Sequence, residues 1–440
     1  MSCRIRAAWC RAAIMSIGIL ALAPDRADAQ TPRLAPRAYD VENFDVASLE
    51  ESARTRTPVT LWYFGKAHRL LLEPSTVRSR SYREAAGSLG ALRTVYTTPA
   101  RTFKGKLVDD PTSIVRLTST ERGLRGLVKS AEGWVFFEPV ASNPANAVES
   151  GDPVAHKVFT EGDIDANYLG LCAEPVLLDE SPGPTSAAAP PPDEPATGAA
   201  DLRVLQLAVD ADVEFFQAHG ANSTNEIEST VNMVSGIYEA ELGITVELSS
   251  VNVWEAEPDP YTSSDANTLL SEERSHWNTN NDAVTRDTVH LFTGKDLTGS
   301  TVGIAFLSVA CDASVAYGLS QDLDSDVLMP LLVAHEMGHN LGASHDSTDS
   351  VPRYIMYPSL GLSTVDEFSA PSKTAISTYV AGTSCLTMQN GGTTTPPPGS
   401  GGGTGGGGGH GGGPVDPITL AMAAGVMALE LWGHRTRCKT

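Results

Sequence analysis

Residues 331–346 read LLVAHEMGHNLGASHD, and this stretch restricts the fold more than any other part of the 440-residue chain. His335 and His339 are four positions apart, about one helical turn, so both imidazoles project from one face at the spacing of zinc ligands. Glu336 is rotated away from that pair and can reach a metal-bound water, the position a general base requires. Asp326 can cap such a helix near Val327, and Gly342 can end it in the left-handed conformation that glycine tolerates, bringing His345 back as a third ligand. Three neutral imidazoles leave one position of Zn2+ open to water, which separates a catalytic zinc from a closed structural one. A bare H-E-x-x-H arises by accident in roughly one chain in a hundred of this histidine content, and Gly342, His345 and Asp346 lower that by further orders of magnitude.

The rest of the sequence divides around that helix. Residues 1–29 have the build of a secretory signal: Arg4, Arg6 and Arg11, an apolar run over 12–23, then Ala27-Asp28-Ala29. The run falls short of the roughly 20 residues a membrane span needs, so export is expected. Residues 30–180 form a β-rich unit, with short strands expected at 59–64, 113–117 and 133–137 and no cluster of catalytic residues. A Pro/Ala-rich linker, 181–200, follows, and no Lys or Arg lies between Lys157 and Arg203. Residues 201–390 alternate longer elements: strands at 204–209, 244–253, 289–293 and 302–309, helices at 212–218, 226–242 and 268–278. A Gly-rich linker, 391–416, then leads to a hydrophobic and basic tail, 417–440. This tail resembles the tripartite sorting tails of some Gram-negative bacteria, a likeness that implies transient membrane anchoring and cell-surface or secreted residence.

Charge follows the same division. The net charge is −22, and residues 201–390 hold 27 acidic against 6 basic side chains, whereas the remainder is nearly balanced. That surface repels phosphate backbones and anionic membranes, which argues against nucleic acid and for a basic or neutral polypeptide partner. Cys3 and Cys10 lie in the signal and Cys438 in the basic cap, leaving Cys172, Cys311 and Cys385 in the exported body. Three cysteines in a disulfide-permissive compartment give one pair and one free thiol.

The motif H-E-x-x-H-x-x-G-x-x-H-D, followed by Met356 in Tyr354-Ile355-Met356-Tyr357-Pro358, resembles the metzincin proteases, in particular the adamalysin or reprolysin group. That group includes the snake-venom metalloproteinases and the disintegrin-and-metalloproteinase enzymes. The resemblance implies that Met356 floors the zinc site and that Pro358 helps wall the S1′ pocket. It further implies that Gly303, Ile304 and Ala305 lie on the edge strand to which an extended peptide adds. Cys311 and Cys385 occupy places like those of the family's long-range disulfide, and residues 368–372 match its closing helix region. Gly123-Leu124-Arg125-Gly126-Leu127 and Phe136-Phe137-Glu138-Pro139 look like a reprolysin propeptide, which would make Cys172 an inhibitory zinc ligand in the unprocessed chain. Its surroundings, Leu171-Cys172-Ala173-Glu174-Pro175, depart from the usual motif. Gln206 replaces an acidic residue of the family's calcium site while Asp287 keeps a second carboxylate, so Ca2+ is uncertain.

The fold class expected is therefore α/β: a metzincin catalytic domain, built of a mixed twisted sheet, an active-site helix and a small C-terminal subdomain, preceded by a β-rich propeptide domain. The expected function is that of a secreted, monomeric zinc endopeptidase with one catalytic Zn2+, acting on polypeptides with Glu336 as general base. The competing reading is a surface binding or adhesion protein whose zinc site is not catalytic.

Overall fold

A computed structural model describes residues 38–389, apart from 141, 145, 161, 162, 164–167, 179–201, 324, 326, 350–352 and 362–366. The expected signal, linker and tail, and the proposed cap Asp326, lie outside the described residues.

The chain begins with β1 (Asp40–Phe44), α1 (Val46–Thr55), β2 (Val59–Tyr63) and β3 (Lys66–Ser75), then departs through β4 (Arg78–Gly87) and β5 (Arg93–Thr94). It returns through β6 (Arg101–Leu107), β7 (Asp110–Thr120), β8 (Gly123–Ser130), β9 (Gly133–Pro139) and β10 (Val154–Thr160). Eight of these strands pair antiparallel in the order β1-β10-β9-β8-β7-β6-β3-β2. Asp45 caps α1 by accepting the Ser48 N–H at 2.9 Å, and Val46, Leu49 and Ala53 of that helix join Leu61, Leu70, Leu117 and Phe137 in one core. Burying this apolar face against the sheet gives the N-terminal unit a core of its own.

The second sheet is built from β11 (Tyr168–Cys172), β12 (Arg203–Ala211), β13 (Ile244–Trp254), β14 (Thr288–Thr293), β15 (Thr301–Ala305), β16 (Tyr317–Gln321) and β17 (Ser359–Gly361). With β4 and β5 the order is β17-β11-β15-β16-β14-β12-β13-β4-β5, and a short β18 (Thr387–Met388) lies antiparallel on β12. Strands β13, β12, β14 and β16 run parallel, and β15 is antiparallel to β16. Helices α2 (Val213–His219), α3 (Ser223–Leu242), α4 (Ala266–Asn280), α5 (Leu328–Asn340) and α6 (Ala370–Ala381) pack around it. This is the mixed α/β sheet with an active-site helix that the sequence reading expects.

Two differences from that reading matter. The strand expected at 302–309 ends at Ala305, because Ser308 at φ 59° and Cys311 at φ 75° turn the chain away. More important, the N-terminal unit is not confined to its own sheet. It supplies a strand to each flank of the second one: β4 parallel to β13, and β11 between β15 and β17. The edges of β13 and β15 carry backbone groups that need partners, and these segments satisfy them.

Candidate metal and peptide-binding site

Helix α5 presents the motif. Its first turn is capped by Ser325, whose Oγ accepts the Leu328 N–H at 3.3 Å, and it closes at Gly342, whose φ of +96° suits glycine. The Gly342 and Ala343 amides bond back to the His339 and Gly338 carbonyls, at 2.9 and 3.0 Å. The reversal carries His345 back against the helix. The Nε2 atoms of His339 and His345 lie 3.0 and 3.2 Å from that of His335.

The outer ring nitrogens explain that orientation. His335 Nδ1 donates to the Ile355 carbonyl at 2.6 Å and His339 Nδ1 to Ala343 O at 2.7 Å, so the protons sit outward and the lone pairs converge. His345 Nδ1 faces the Glu174 carboxylate at 3.4 Å. Burial, reinforced by the neighbouring imidazoles, holds His335 well below the ordinary histidine range and His339 down to about 3; burial also lowers His345. Three neutral imidazoles aimed at one point repel each other unless a cation lies between them. The donor set therefore fits a divalent, nitrogen-preferring metal such as Zn2+.

Glu336 is fully buried, with no nitrogen or oxygen donor among the described residues on its carboxylate and the Cys172 thiol beside it; burial pushes its pKa well up. Room for it comes from Gly303 of β15, where a Cβ would lie 2.4 Å from Glu336 Oε1. Met356 is buried directly beneath α5, its sulfur 2.6 Å from where a Cβ on Gly338 would stand. Asp346 then locks the turn to α6: Ser369 and Ser372 donate their hydroxyls to its Oδ1 at 2.6 and 3.1 Å. Asn340 ties the helix to the sheet, donating to the carbonyls of Phe306 and Tyr317 at 2.9 and 3.0 Å. Sequence reasoning missed Gly338 and Asn340, and named Ser369 only within the closing-helix match; a glycine three positions after His335 and directly before His339 was the available signal for Gly338.

The expected substrate strand is filled by the chain itself. Residues 171–176 run parallel to β15: the amides of Leu171, Ala173 and Val176 donate to Ser300, Gly303 and Ala305 carbonyls at 2.6, 3.0 and 2.9 Å. On the other side the Cys172 amide donates to Pro358 O at 3.1 Å. Gly303, Ala305 and Pro358 thus offer backbone to an inserted strand, while the Ile304 side chain is buried in the core with Phe306 and Leu319. The Cys172 thiol is free and buried, and its sulfur groups with His335 and Glu336, all ligand atoms within 4.8 Å. The sequence reading named Cys172 but not the strand that delivers it.

Cys311 and Cys385 form a disulfide with Cα atoms 5.8 Å apart. Asp287 lies beside it, with Oδ2 accepting the Gln206 N–H at 2.7 Å.

Fold, motif helix and histidine cluster point to one class, and similarity supports it for residues 201–369: a zinc metallopeptidase domain of the reprolysin type. Those residues match the family model Reprolysin_5, metallo-peptidase family M12. The chain is 33% identical over 150 residues to the snake venom metalloproteinase acutolysin-C of Deinagkistrodon acutus, covering 33% of this chain and 35% of the relative. It is 28% identical over 158 residues to trimerelysin-2 of Protobothrops flavoviridis, covering 33% of this chain and 75% of that protein. The chain thus spans about a third of the first relative's length and three quarters of the second's.

Proposed function

We propose that the chain is the precursor of an exported zinc endopeptidase. In this reading residues 30–180 are a propeptide, 201–390 the protease, and the flanking segments serve export and sorting. The observation that carries it is the convergence of three histidines, two of them with the outer nitrogen bonded to a carbonyl, beside a buried carboxylate and under a groove that already holds a peptide strand.

His335, His339 and His345 would hold the metal. Zinc bound there supplies Lewis-acid polarisation of the scissile carbonyl and acidifies water at neutral pH. The chain supplies the rest. Carbonyls of β15 and of Pro358 align the substrate backbone by strand addition, and the dry wall around Glu336 keeps its carboxyl basic enough to take the proton of the attacking water. Glu336 then delivers that proton to the leaving amine. Met356 and Asp346 hold the helix and the third histidine in register.

In the unprocessed chain the Cys172 sulfur, grouped with His335 and Glu336, would serve as a fourth ligand to the metal and so keep water from it. Among the described residues no helix is long and apolar enough to cross a membrane, and export rests on the signal-like segment.

Casein hydrolysis by processed protein tests the reading. We expect a zinc chelator to abolish cleavage, Glu336→Ala to lower it by several orders of magnitude with zinc content retained, and Cys172→Ala to render the uncut chain active. Chelator-insensitive or absent cleavage under several conditions returns the protein to the binding-protein reading. A folded, zinc-loaded Cys172→Ala chain that stays latent removes the cysteine's role alone.

A further inference from the structure

We propose that the face of α3 together with the edge of β13 is a second polypeptide-binding surface, which takes basic extended segments of the substrate outside the cleft. The proposal rests on the reading above, in which the N-terminal unit is removed from the active enzyme.

Strand β13 has eleven residues, ITVELSSVNVW, pairs with β12 on one side and is covered on the other by β4 over Leu248–Trp254. It contains no lysine or proline, and so lacks the usual devices that blunt an exposed edge. When β4 leaves, amides such as those of Leu248 and Glu255, now bonded to Val77 O and Gly87 O at 2.6 Å, face solvent.

The chemistry flanking that edge selects the occupant. Helix α3 carries Glu226, Glu228, Glu239 and Glu241 and no Lys, Arg or His. Glu239 and Glu241 stand in its last turn, where the helix dipole disfavours anions. Each of the four carboxylates is met by a cation from the N-terminal unit: Arg125 on Glu226, Arg78 on Glu228 at 2.5 Å, Arg116 on Glu239 and Lys129 on Glu241. From its own domain α3 receives Lys373, 2.5 Å from Glu241. Gly236, in mid-helix, leaves a notch: a Cβ there would lie 2.6 Å from Arg116 Cγ. Asn232 donates to the Leu117 carbonyl at 3.1 Å, so the helix also reads backbone.

The structure therefore shows the β13 edge holding one arginine-bearing strand, β4, whose Arg78 reaches Glu228, while β7 and β8 bring the other three cations to α3. Once vacated, the surface presents the same unpaired edge and the same carboxylates to other chains, and only cationic extended segments match both. Parallel addition to β13, as β4 adds now, would dock a substrate at the end of the sheet away from the cleft beside β15.

The test compares two fluorogenic polypeptides sharing one cleavable sequence, with an Arg/Ser-rich or a Glu/Ser-rich tail. For linker-cut enzyme freed of its N-terminal part, kcat/KM should favour the basic tail by about tenfold at low salt. That preference should collapse at about 0.5 M salt and in the variant Glu226→Gln/Glu228→Gln, which removes the carboxylate that Arg78 of β4 now holds. A synthetic peptide of residues 76–96 should erase the preference without slowing a tail-free substrate. A ratio near one, or a preference indifferent to the substitutions, overturns the surface. If neither polypeptide is cut, the proteolytic reading fails, and binding of labelled peptide 76–96 to Glu336→Ala protein still decides the surface. The labelled peptide is also offered to the cut but unseparated chain, where it needs only to exchange with the seated strand. Failure to bind in both preparations overturns the proposal.

Discussion

Two glycines decide how close the reacting carboxylate and its floor can come. Gly338 lets Met356 reach the underside of α5, and Gly303 leaves the volume that Glu336 fills. A methyl group at 303 would also come within 2.9 Å of Leu332 Cδ1, so Glu336 could not swing aside into free space. We expect Gly303→Ala to lower kcat/KM by roughly a hundredfold, the cost of misplacing a reacting group by about an ångström, with zinc content unchanged. Wild-type kinetics in a zinc-loaded Gly303→Ala enzyme would show that Glu336 does not work from this position. The histidines were legible because helical periodicity and ligand spacing coincide within eleven residues of sequence. The glycine contacts were not, since they depend on which strand and which turn fold back over the helix.

Elements whose apolar residues repeat cleanly were legible: β12, α3, β13 and β14 begin and end within a few residues of their expected bounds. Strand β11 was not. It is five residues long, and its partners β15 and β17 are more than a hundred residues away, so pairing and not local pattern makes it a strand. The buried His156 of β10 also escaped the sequence reading. Its Nδ1–H donates to Val154 O at 2.7 Å while Nε2 accepts the Leu124 N–H at 2.7 Å, so the neutral ring is fully used between β8 and β10. Burial lowers its pKa to about 4. The unfolded chain takes up this proton near pH 6.5 and the folded one only near 4, so stability is retained above 6.5 and lost as pH falls through that interval. The loss approaches roughly 3 kcal/mol by pH 4. Urea midpoints followed by the buried Trp134 of β9 should fall steadily from pH 7 to 4.5. A level midpoint would remove His156 as the sensor. His290 of β14, lowered to about 3 by burial, adds the same sign in the protease domain.

At the scale of the whole molecule, the linker is a covalent tie between parts that are also joined by pairing and charge. The N-terminal unit covers β13 with β4, enters the groove beside β15 with β11, and sets four cations on α3. Two of these pairs, Arg78–Glu228 and Lys129–Glu241, hold a glutamate whose side chain is nearly buried, and they resist separation because removing one partner strands the other charge. A single cut within residues 181–200 should therefore leave both fragments together, with Cys172 still seated and the enzyme still latent. Salt screens the exposed pairs and barely the buried ones, and Leu127, Trp134 and Phe136 share a core with α3, so after the cut raising salt from about 0.05 to 0.5 M should release only part of the N-terminal fragment, with casein cleavage rising in proportion. Size-exclusion chromatography of cut protein across that range, with activity read on each fraction, checks both halves of the expectation. Immediate separation and full activity at low salt would mean that the linker alone holds the precursor together. Co-elution with full activity would mean that strand β11 leaves the groove while β4 and the cations stay in place.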